Sequence, residues 1–302
     1  MNNKFFFFKD IDSHYVFCLF GIRLMVKHPI KVEKQTISNY GLNTKPRDKS
    51  IIVSLTSYPA RIQSVHETII TLLNQTVKPD KIILWLSEDE FVDKEENLPS
   101  ELLALREYGL IINWCNKNIK SYKKLLPALE QYSNEIIITA DDDVYYDRFL
   151  IESLYNAYLK NPNYIYTRRA VEMDFQDTNL KYISPRKNYY NHRQEASFLN
   201  QQMGGSGCLY PPNSLHKDVF KISLLPTHDD AYFWAMAVLN NTKIQIVDGY
   251  NRNLIFRKGT QEQGLINLNK KNNSEGIALE DAHKKILEVY PEILEKIKCE
   301  VL

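Results

Sequence analysis

The sequence predicts an α/β fold built on a mainly parallel, Rossmann-like sheet flanked by helices. Between residues 50 and 250, short β-branched runs alternate with segments of helical periodicity, which is the pattern of consecutive βα units. The first run, residues 51–55, is almost continuously apolar, as expected of a parallel strand covered on both faces. In such sheets ligands bind beyond the carboxyl ends of the strands, so we expect a functional site there.

The composition excludes several classes of protein. A chain of 302 residues with 44% hydrophobic and 25% charged residues suits an α/β enzyme with one large domain. The formal net charge is +1, so no global field attracts the chain to nucleic acid, and no nucleic-acid partner is predicted. The four cysteines form no Cys-x-x-Cys pair, which argues against a zinc ribbon or a disulfide framework and favours a cytoplasmic location.

Residues 1–49 are predicted to form an N-terminal extension and linker. The apolar runs at residues 5–8 and 15–26 are too short to span a bilayer, and Arg23 interrupts the second. Such a start is compatible with peripheral contact to the inner face of the cytoplasmic membrane, or with a strand and turn packed on the core. We favour packing, because the run lacks a 3.6-residue hydrophobic period.

The remaining elements follow in order through a main domain at residues 50–250. Ser64 and Glu67 have the spacing of a capping box, which predicts the start of the first helix. Further strands are predicted at residues 81–86, 110–115, 136–140, 164–167 and 244–247, and further helices at 101–108, 121–132, 148–160 and 230–239.

Residues 251–302 are predicted to form a polar lid followed by a C-terminal helix. The lid is assigned to residues 251–276, which are rich in asparagine and glutamine. The helical spacing from residue 279 to 297 is expected to break at Pro291, because proline cannot donate a backbone hydrogen bond within a helix.

Three consecutive aspartates, Asp141, Asp142 and Asp143, carry the strongest chemical signal. They directly follow the apolar run at residues 136–140, which delivers them to the ligand-binding edge of the sheet. A hard divalent cation would offset their repulsion, and carboxylate oxygens suit Mg²⁺ or Mn²⁺, which also bind phosphate oxygens. Alternate side chains of an extended chain share a face, so Asp141 and Asp143 are the predicted metal ligands and Asp142 is expected to point elsewhere. The alternative, an acidic turn that caps the next helix, is disfavoured because Asp147 occupies the capping position.

The apolar strand and its aspartates resemble the DxD signature of GT-A-fold glycosyltransferases, particularly the family-two-like bacterial enzymes, over residues 50–250. The resemblance implies that Asp141 and Asp143 bind Mn²⁺ or Mg²⁺ and contact the ribose and diphosphate of a nucleotide-sugar donor, with a UDP-sugar favoured. It also implies a glycan or lipid-linked glycan acceptor, as in bacterial capsule or lipopolysaccharide biosynthesis.

The first βα connection lies where the nucleotide pocket of that family begins. Thr56, Tyr58 and Arg61 offer a hydroxyl, an aromatic ring and a guanidinium that suit a base and a phosphate. The family often has Asp-Asp-Gly-Ser after its second strand, whereas residues 87–90 here read Ser-Glu-Asp-Glu and depart from that pattern. An ordinary capped loop is the alternative for each of these residues.

Two further segments are candidates for donor binding. Lys123 and Lys124 open a predicted helix, where a lysine is unfavourable beside the positive end of the dipole unless an anion is near. Contact with the diphosphate is one interpretation, and solvated surface lysines are the other. Gly205 lies in a glycine-rich turn at residues 204–207 that allows close approach of the backbone to a sugar, with a simple β-turn as the alternative.

An acidic pair, Asp229 and Asp230, is predicted at the start of a helix beside an aromatic run at residues 232–234. It resembles the base motif of inverting GT-A enzymes. By that resemblance Asp230 deprotonates the acceptor hydroxyl, and the neighbouring carboxylate is expected to raise its pKa. The alternative is that Asp229 caps the helix while Asp230 interacts with the helix dipole.

Together these features predict a metal-dependent, inverting glycosyltransferase, and two alternatives stay open. A sugar-phosphate nucleotidyltransferase shares the layout and the need for a metal, but normally has a glycine-rich phosphate loop after its first strand, and residues 55–61 lack glycine. A non-catalytic glycan- or nucleotide-binding module would leave the aspartates solvated. The donor sugar, the acceptor and the linkage depend on a few loop contacts and are not predicted.

Overall fold

The structure is a computed structural model, and it describes residues 6–11, 14–19, 22–27, 40–176, 179–183, 195–247, 254–257, 260 and 279–301. The lid predicted at residues 251–276 lies outside these residues, apart from 254–257 and 260.

Fifteen strands are present among the described residues. In chain order they are β1 Phe6–Ile11, β2 His14–Leu19, β3 Ile22–Lys27, β4 Ile51–Thr56, β5 Lys81–Ser87, β6 Leu110–Cys115, β7 Ile136–Ala140, β8 Val144–Tyr145, β9 Ile165–Thr167, β10 Ala170–Gln176, β11 Asn179–Ile183, β12 Asn200–Gln202, β13 Cys208–Tyr210, β14 Ile244–Ile246 and β15 Ile255–Phe256.

The helices alternate with the central strands. The α-helices are α1 Val65–Leu73, α2 Ser100–Ala104, α3 Leu126–Gln131, α4 Leu150–Lys160, α5 Asp229–Leu239 and two C-terminal helices, Leu279–Val289 and Glu292–Val301. Short 3₁₀ helices lie at Ile62–Ser64, Lys94–Asn97, Leu105–Tyr108, Lys120–Lys124, Gly204–Ser206, Lys217–Phe220 and Ile222–Leu224.

A seven-stranded sheet with the order β14-β9-β13-β7-β4-β5-β6 forms the centre of the protein. Only β13 runs antiparallel to its neighbours β7 and β9, and the other pairs are parallel. The predicted mainly parallel α/β fold, with helices on the sheet and a C-terminal helical tail, is therefore confirmed.

Burial on both faces explains the continuous apolar runs. Side chains along β4 alternate between two hydrophobic clusters, with Ile51 and Val53 in the cluster that contains α1 and α4, and Ile52 in the cluster that contains α5. Every residue from Ala231 to Leu239 of α5 is buried, as expected of a helix that is apolar all round. The two C-terminal helices add Ile293 and other apolar side chains to the same cluster.

The register of the central strands places the aspartates at the carboxyl edge of the sheet. Leu55 of β4 lies opposite Ala140 of β7 in a parallel pair. The chain segments that follow these two residues, which carry Thr56 and Asp141, therefore emerge side by side.

Four local predictions need correction. The helix predicted at residues 101–108 is divided into α2 and the 3₁₀ helix Leu105–Tyr108. The side chain of Ser64 makes no capping bond; its hydroxyl donates to the carbonyl of Arg61, because a 3₁₀ turn precedes α1. The helix predicted at residues 121–132 is divided into a 3₁₀ helix and α3, with Pro127 in the first turn of α3. The helix predicted from residue 148 begins at Leu150, and the carboxylate of Asp147 accepts the N–H of Phe149 upstream of it.

Both ends of the chain agree with the predicted elements. The C-terminal helical pattern breaks at Pro291, between the two C-terminal helices. At the N-terminus, β1, β2 and β3 form an antiparallel sheet, and its packing on the core stays a prediction. Within the part of the chain that the structure describes, no helix is long and apolar enough to cross a membrane.

Candidate active site

An ammonium group lies at the centre of a cluster of aspartates. Nζ of Lys124 is 3.0 Å from Oδ1 of Asp141 and 3.0 Å from Oδ2 of Asp229. The Lys124 side chain is only 6% exposed. Burial opposes its charge, but Asp141, Asp229 and Asp230 outweigh that effect and raise the pKa of Lys124 well above its ordinary value. Lys124 is therefore a charged, buried group, and a solvated surface lysine is excluded.

Asp230 is oriented by the glycine turn. Its Oδ1 accepts a hydrogen bond from the backbone N–H of Gly204 at 3.0 Å. Burial raises the pKa of Asp230 to about 7, and the charges of Asp229 and Asp141 act in the same direction. The charge of Lys124 opposes this rise. A carboxylate with this pKa is suited to accept a proton at neutral pH.

Asp229 is held by the 3₁₀ helix Lys120–Lys124. Its Oδ1 accepts a hydrogen bond from the hydroxyl of Ser121 at 2.7 Å, and its Oδ2 faces Lys124. It is the first residue of α5, and the residue at the capping position, His228, makes no side-chain cap. The interpretation of Asp229 as a simple helix cap is therefore wrong.

The glycine turn Gly204–Ser206 packs directly on these acids. A Cβ at Gly204 would lie 2.7 Å from Oδ1 of Asp230 and 3.0 Å from Nζ of Lys124, and a Cβ at Gly205 would collide with Oδ2 of Asp141. The hydroxyl of Tyr146 donates to the carbonyl of Gly205 at 3.0 Å and accepts the N–H of Asp141 at 2.8 Å. Glycine at these two positions therefore provides close approach to the carboxylates.

Asp142 and Asp143 share the guanidinium of Arg61. Nη1 of Arg61 is 2.8 Å from Oδ1 of Asp142 and 3.1 Å from Oδ2 of Asp143. The hydroxyl of Ser57 donates to the other oxygen of Asp142 at 2.6 Å. Burial raises the pKa of Asp142 to about 6, although Arg61 and Ser57 oppose the shift.

The predicted alternation of the triplet does not hold. Asp142 and Asp143 both contact the guanidinium of Arg61, whereas Asp141 contacts the ammonium of Lys124. The reason is that the strand ends at Ala140, so the three residues after it are not part of a β-strand, and Asp142 and Asp143 lie in a turn.

The remaining nucleotide-site candidates lie around these aspartates, and Tyr58 contacts them through Arg61. The hydroxyl of Thr56 donates to the carbonyl of Trp85 at 2.8 Å, and the ring centroid of Tyr58 lies 5.5 Å from the guanidinium carbon of Arg61. Lys123, only 2% exposed, pairs with Glu90 at 2.8 Å. The two adjacent lysines thus point into different clusters, a separation that their sequence did not indicate.

The start of the C-terminal region borders the triplet. β15 pairs with β8, and the N–H of Arg257 donates to the carbonyl of Asp143 at 2.8 Å. Nη2 of Arg61 donates to the carbonyl of Thr260 at 2.8 Å. These bonds place the described residues 254–257 and 260 against the aspartates, while the lid itself stays a prediction.

The carboxylates fit one kind of metal site. Across the residues for which the structure gives positions, no group of three His, Cys, Asp or Glu side chains is arranged to hold an ion by itself. Magnesium, however, is commonly bound by only one or two carboxylates together with phosphate oxygens and water. The Asp141 side chain is 33% exposed, while that of Asp143 is 3% exposed and paired with Arg61. The carboxylate of Asp141 therefore fits an ion whose coordination a diphosphate completes, whereas Asp143 would join it only by giving up its ion pair with Arg61.

No protein-family model matches the chain, and no curated protein matches it. Solved structures similar to it include the following three. Residues 1–349 of TarS from S. aureus are 15% identical, with 79% of this chain and 70% of that chain covered and a TM-score of 0.46. The mannosyltransferase PcManGT from Pyrobaculum calidifontis, in complex with GDP-Man and Mn²⁺, is 12% identical, with coverages of 85% and 77% and a TM-score of 0.48. A 4-diphosphocytidyl-2C-methyl-D-erythritol synthase from Anaerococcus prevotii is 16% identical, with coverages of 74% and 98% and a TM-score of 0.43.

Proposed function

We propose that this protein is an inverting glycosyltransferase that moves a sugar from a nucleotide-diphosphate sugar to a hydroxyl group of a glycan acceptor. One observation carries the proposal: Asp141, at the carboxyl edge of the sheet, and Asp229, of the acidic pair on α5, meet at the same ammonium group of Lys124, each at 3.0 Å. A candidate phosphate- and metal-binding group thus lies next to the acidic pair that carries the candidate base, as sugar transfer requires.

Asp230 is the proposed general base. Its carboxylate is oriented by the N–H of Gly204, and its pKa, raised by burial to about 7, suits proton transfer near neutrality. It takes the proton of the acceptor hydroxyl while the acceptor oxygen bonds to the anomeric carbon. The bond from that carbon to the diphosphate breaks in the same step, and its electron pair leaves with the nucleoside diphosphate.

Asp141 and Asp143 would hold a Mn²⁺ or Mg²⁺ ion. When bound, such an ion offsets negative charge on the departing diphosphate. Thr56, Tyr58 and Arg61 are proposed to contact the nucleotide, for which a UDP-sugar is favoured. Of these three, Arg61 already contacts the aspartate triplet.

Burial of the aspartates favours an enzyme over a passive binding module. A non-catalytic module predicts a solvated triplet, whereas Asp142 and Asp143 are 5% and 3% exposed. Burial of like charges is costly, and strongly shifted carboxyl groups such as Asp230 are characteristic of catalytic sites.

The proposal also covers the class of acceptor and the cellular location of the protein. The sequence resemblance to family-two-like bacterial enzymes supports a glycan or lipid-linked glycan of a bacterial surface polysaccharide as acceptor. It also supports a cytoplasmic location, with peripheral contact to the inner face of the membrane.

A nucleotide-sugar screen tests the proposal. Purified protein is incubated with individual nucleotide sugars, with and without Mn²⁺, and release of nucleoside diphosphate is measured. We expect metal-dependent turnover of one class of donor, and its loss in Asp143→Asn with retained circular dichroism. Release of pyrophosphate from a nucleoside triphosphate and a sugar phosphate, without sugar transfer, would instead identify a nucleotidyltransferase. Turnover of no donor under any condition would refute the proposed activity.

A further inference from the structure

The environment of the Lys124 ammonium group differs from both environments that the sequence suggested. The sequence left open a contact with the diphosphate or a solvated surface position, yet the ammonium is enclosed by protein. It is ion-paired with Asp141 and Asp229, and a Cβ at Gly204 would lie 3.0 Å from it. A lysine so engaged is positioned to organise carboxylates.

We infer that Lys124 is a positioning residue, which holds Asp229 and Asp141 in place so that Asp230 is presented to the acceptor as the base. The inference rests on the proposed glycosyl transfer and deepens it. It separates the two members of the acidic pair: Asp229 is a structural partner of Lys124, and Asp230 does the chemistry.

The contacts of Asp229 support this division. One carboxylate oxygen accepts the hydroxyl of Ser121, and the other faces the ammonium of Lys124. Both donors belong to the 3₁₀ helix Lys120–Lys124, so one turn of the chain holds both oxygens. Asp230 is instead oriented by the backbone of Gly204 on another segment.

The turn that carries Lys124 is itself firmly attached to α5. The ring of Tyr122 packs edge-on against Tyr232 and Phe233, with centroid distances of 5.9 and 5.4 Å. Tyr122 is 1% exposed. Aromatic contacts of this geometry add to the stabilisation from burial, so Lys124 and Asp229 are held at a defined separation.

A mutational cycle tests the inference. The variants are Lys124→Met, Lys124→Arg, Asp229→Asn and the double variant Lys124→Met/Asp229→Asn. Lys78→Met is the control, because Lys78 donates to the carbonyl of Leu73 and precedes β5, at the amino edge of the sheet. The measurements are kcat, KM for the donor, Kd for the nucleoside diphosphate and the thermal midpoint.

We expect Lys124→Met to lower kcat by about 100-fold, the scale of a misplaced catalytic group, while KM and Kd change less than about threefold. We expect kcat of Lys124→Arg to be about tenfold higher than that of Lys124→Met, because arginine retains the positive charge. The double variant is no slower than the slower single variant, because both substitutions break one interaction. Lys78→Met keeps wild-type kcat.

Five outcomes would overturn the inference. A parallel rise in KM and Kd would show that Lys124 binds the diphosphate directly. Additive losses in the double variant would show that Lys124 does not act through Asp229. Loss of kcat explained by unfolding in both Lys124 variants would show a purely structural role. A wild type inactive on every nucleotide sugar would refute the proposed function and this inference together, whereas an active wild type with unaffected Lys124→Met refutes the inference alone.

Discussion

The backbone N–H of Gly204 donates to Oδ1 of Asp230 over 3.0 Å, and a Cβ on Gly204 would lie 2.7 Å from that same oxygen. The distance of 2.7 Å is shorter than ordinary carbon–oxygen contacts, so a larger residue at position 204 must displace the carboxylate. Gly204 therefore limits where the carboxylate of the proposed base can lie.

Gly204→Ala is expected to lower kcat strongly while leaving the fold intact. A displacement of a catalytic group by about 1 Å costs on the order of 100-fold in rate. The rest of the turn has no need to move, because the clash is with the ends of the Asp230 and Lys124 side chains. Steady-state kinetics and thermal unfolding of the purified variant check both parts. Wild-type kcat would show that the position of Asp230 is not critical.

The pH profile of the wild-type enzyme provides a second test. Asp230 accepts a proton only when it is ionised, and burial raises its pKa to about 7. We therefore expect kcat/KM to fall about tenfold per unit as the pH decreases below this value. Thermal midpoints measured across the same range separate this effect from unfolding. A flat profile down to pH 5 would contradict the assignment of Asp230 as the base.

Asp230→Asn is expected to abolish turnover and to stabilise the protein at alkaline pH. The carboxyl pKa is raised in the folded state by burial and by Asp229 and Asp141, and Lys124 opposes the rise. The folded protein therefore binds the proton more tightly than the unfolded chain, and stability is lost as the pH rises toward 7. Asparagine does not titrate, so the variant avoids this loss. The unfolding free energy of Asp230→Asn relative to wild type therefore rises by about 2 kcal/mol between pH 5 and pH 8.

Chemical denaturation of wild type and Asp230→Asn at the two pH values measures this difference. Asp281→Asn is the matched control, because the Asp281 side chain is 41% exposed and pairs with Lys284 on the surface. It gives the baseline for the loss of one surface carboxylate. An equal effect of Asp230→Asn at both pH values would mean that its pKa is ordinary.

Stability of α5 depends on the C-terminal helices. Ile293 is fully buried in the cluster that contains α5, whereas Val289 is 52% exposed. Ile293→Ala leaves a cavity and should cost about 2–5 kcal/mol of unfolding free energy, while Val289→Ala should change it by less than about 0.5 kcal/mol. Urea denaturation compares the two. Equal effects would show that the C-terminal helices do not support the core.

The parts of the fold that depend on local pattern were predictable from sequence. The strand Ile136–Ala140 is buried at every residue, and its five apolar or β-branched positions already indicated a strand covered on both faces. The break at Pro291 follows from the chemistry of proline alone. Neither prediction requires knowledge of which segments meet.

The partners within the candidate site were not predictable, because they are separated widely along the chain. Ser121 and Asp229 are 108 positions apart, and Ser57 and Asp142 are 85 positions apart. Ser57 lies between two residues that the motif did suggest, Thr56 and Tyr58, so a hydroxyl-rich turn was the available signal. No local signal separates Lys123 from Lys124, whose different environments arise from the 3₁₀ turn that carries them.

Arg61 is expected to be necessary for stability as well as for any contact with the nucleotide. Its guanidinium pairs with Asp142 and Asp143, and its side chain is only 12% exposed. Removal of one partner from a buried ion pair leaves an uncompensated charge and commonly costs about 3–5 kcal/mol. We therefore expect Arg61→Met to lower the unfolding free energy by about 3 kcal/mol at pH 8, measured by chemical denaturation.

The double variant Arg61→Met/Asp142→Asn identifies the cause of that loss. If the penalty comes from the buried carboxylate, the neutral amide restores a large part of the stability, since Asn still accepts the hydroxyl of Ser57. Lys284→Ala is the surface control; this lysine is 71% exposed, and removal of its ion pair should cost less than about 1 kcal/mol. If Arg61→Met is as stable as wild type, the ion pairs do not stabilise the site. If the double variant is as unstable as Arg61→Met, the cause is instead the unpaired carboxylate of Asp143 or the lost packing of the arginine side chain.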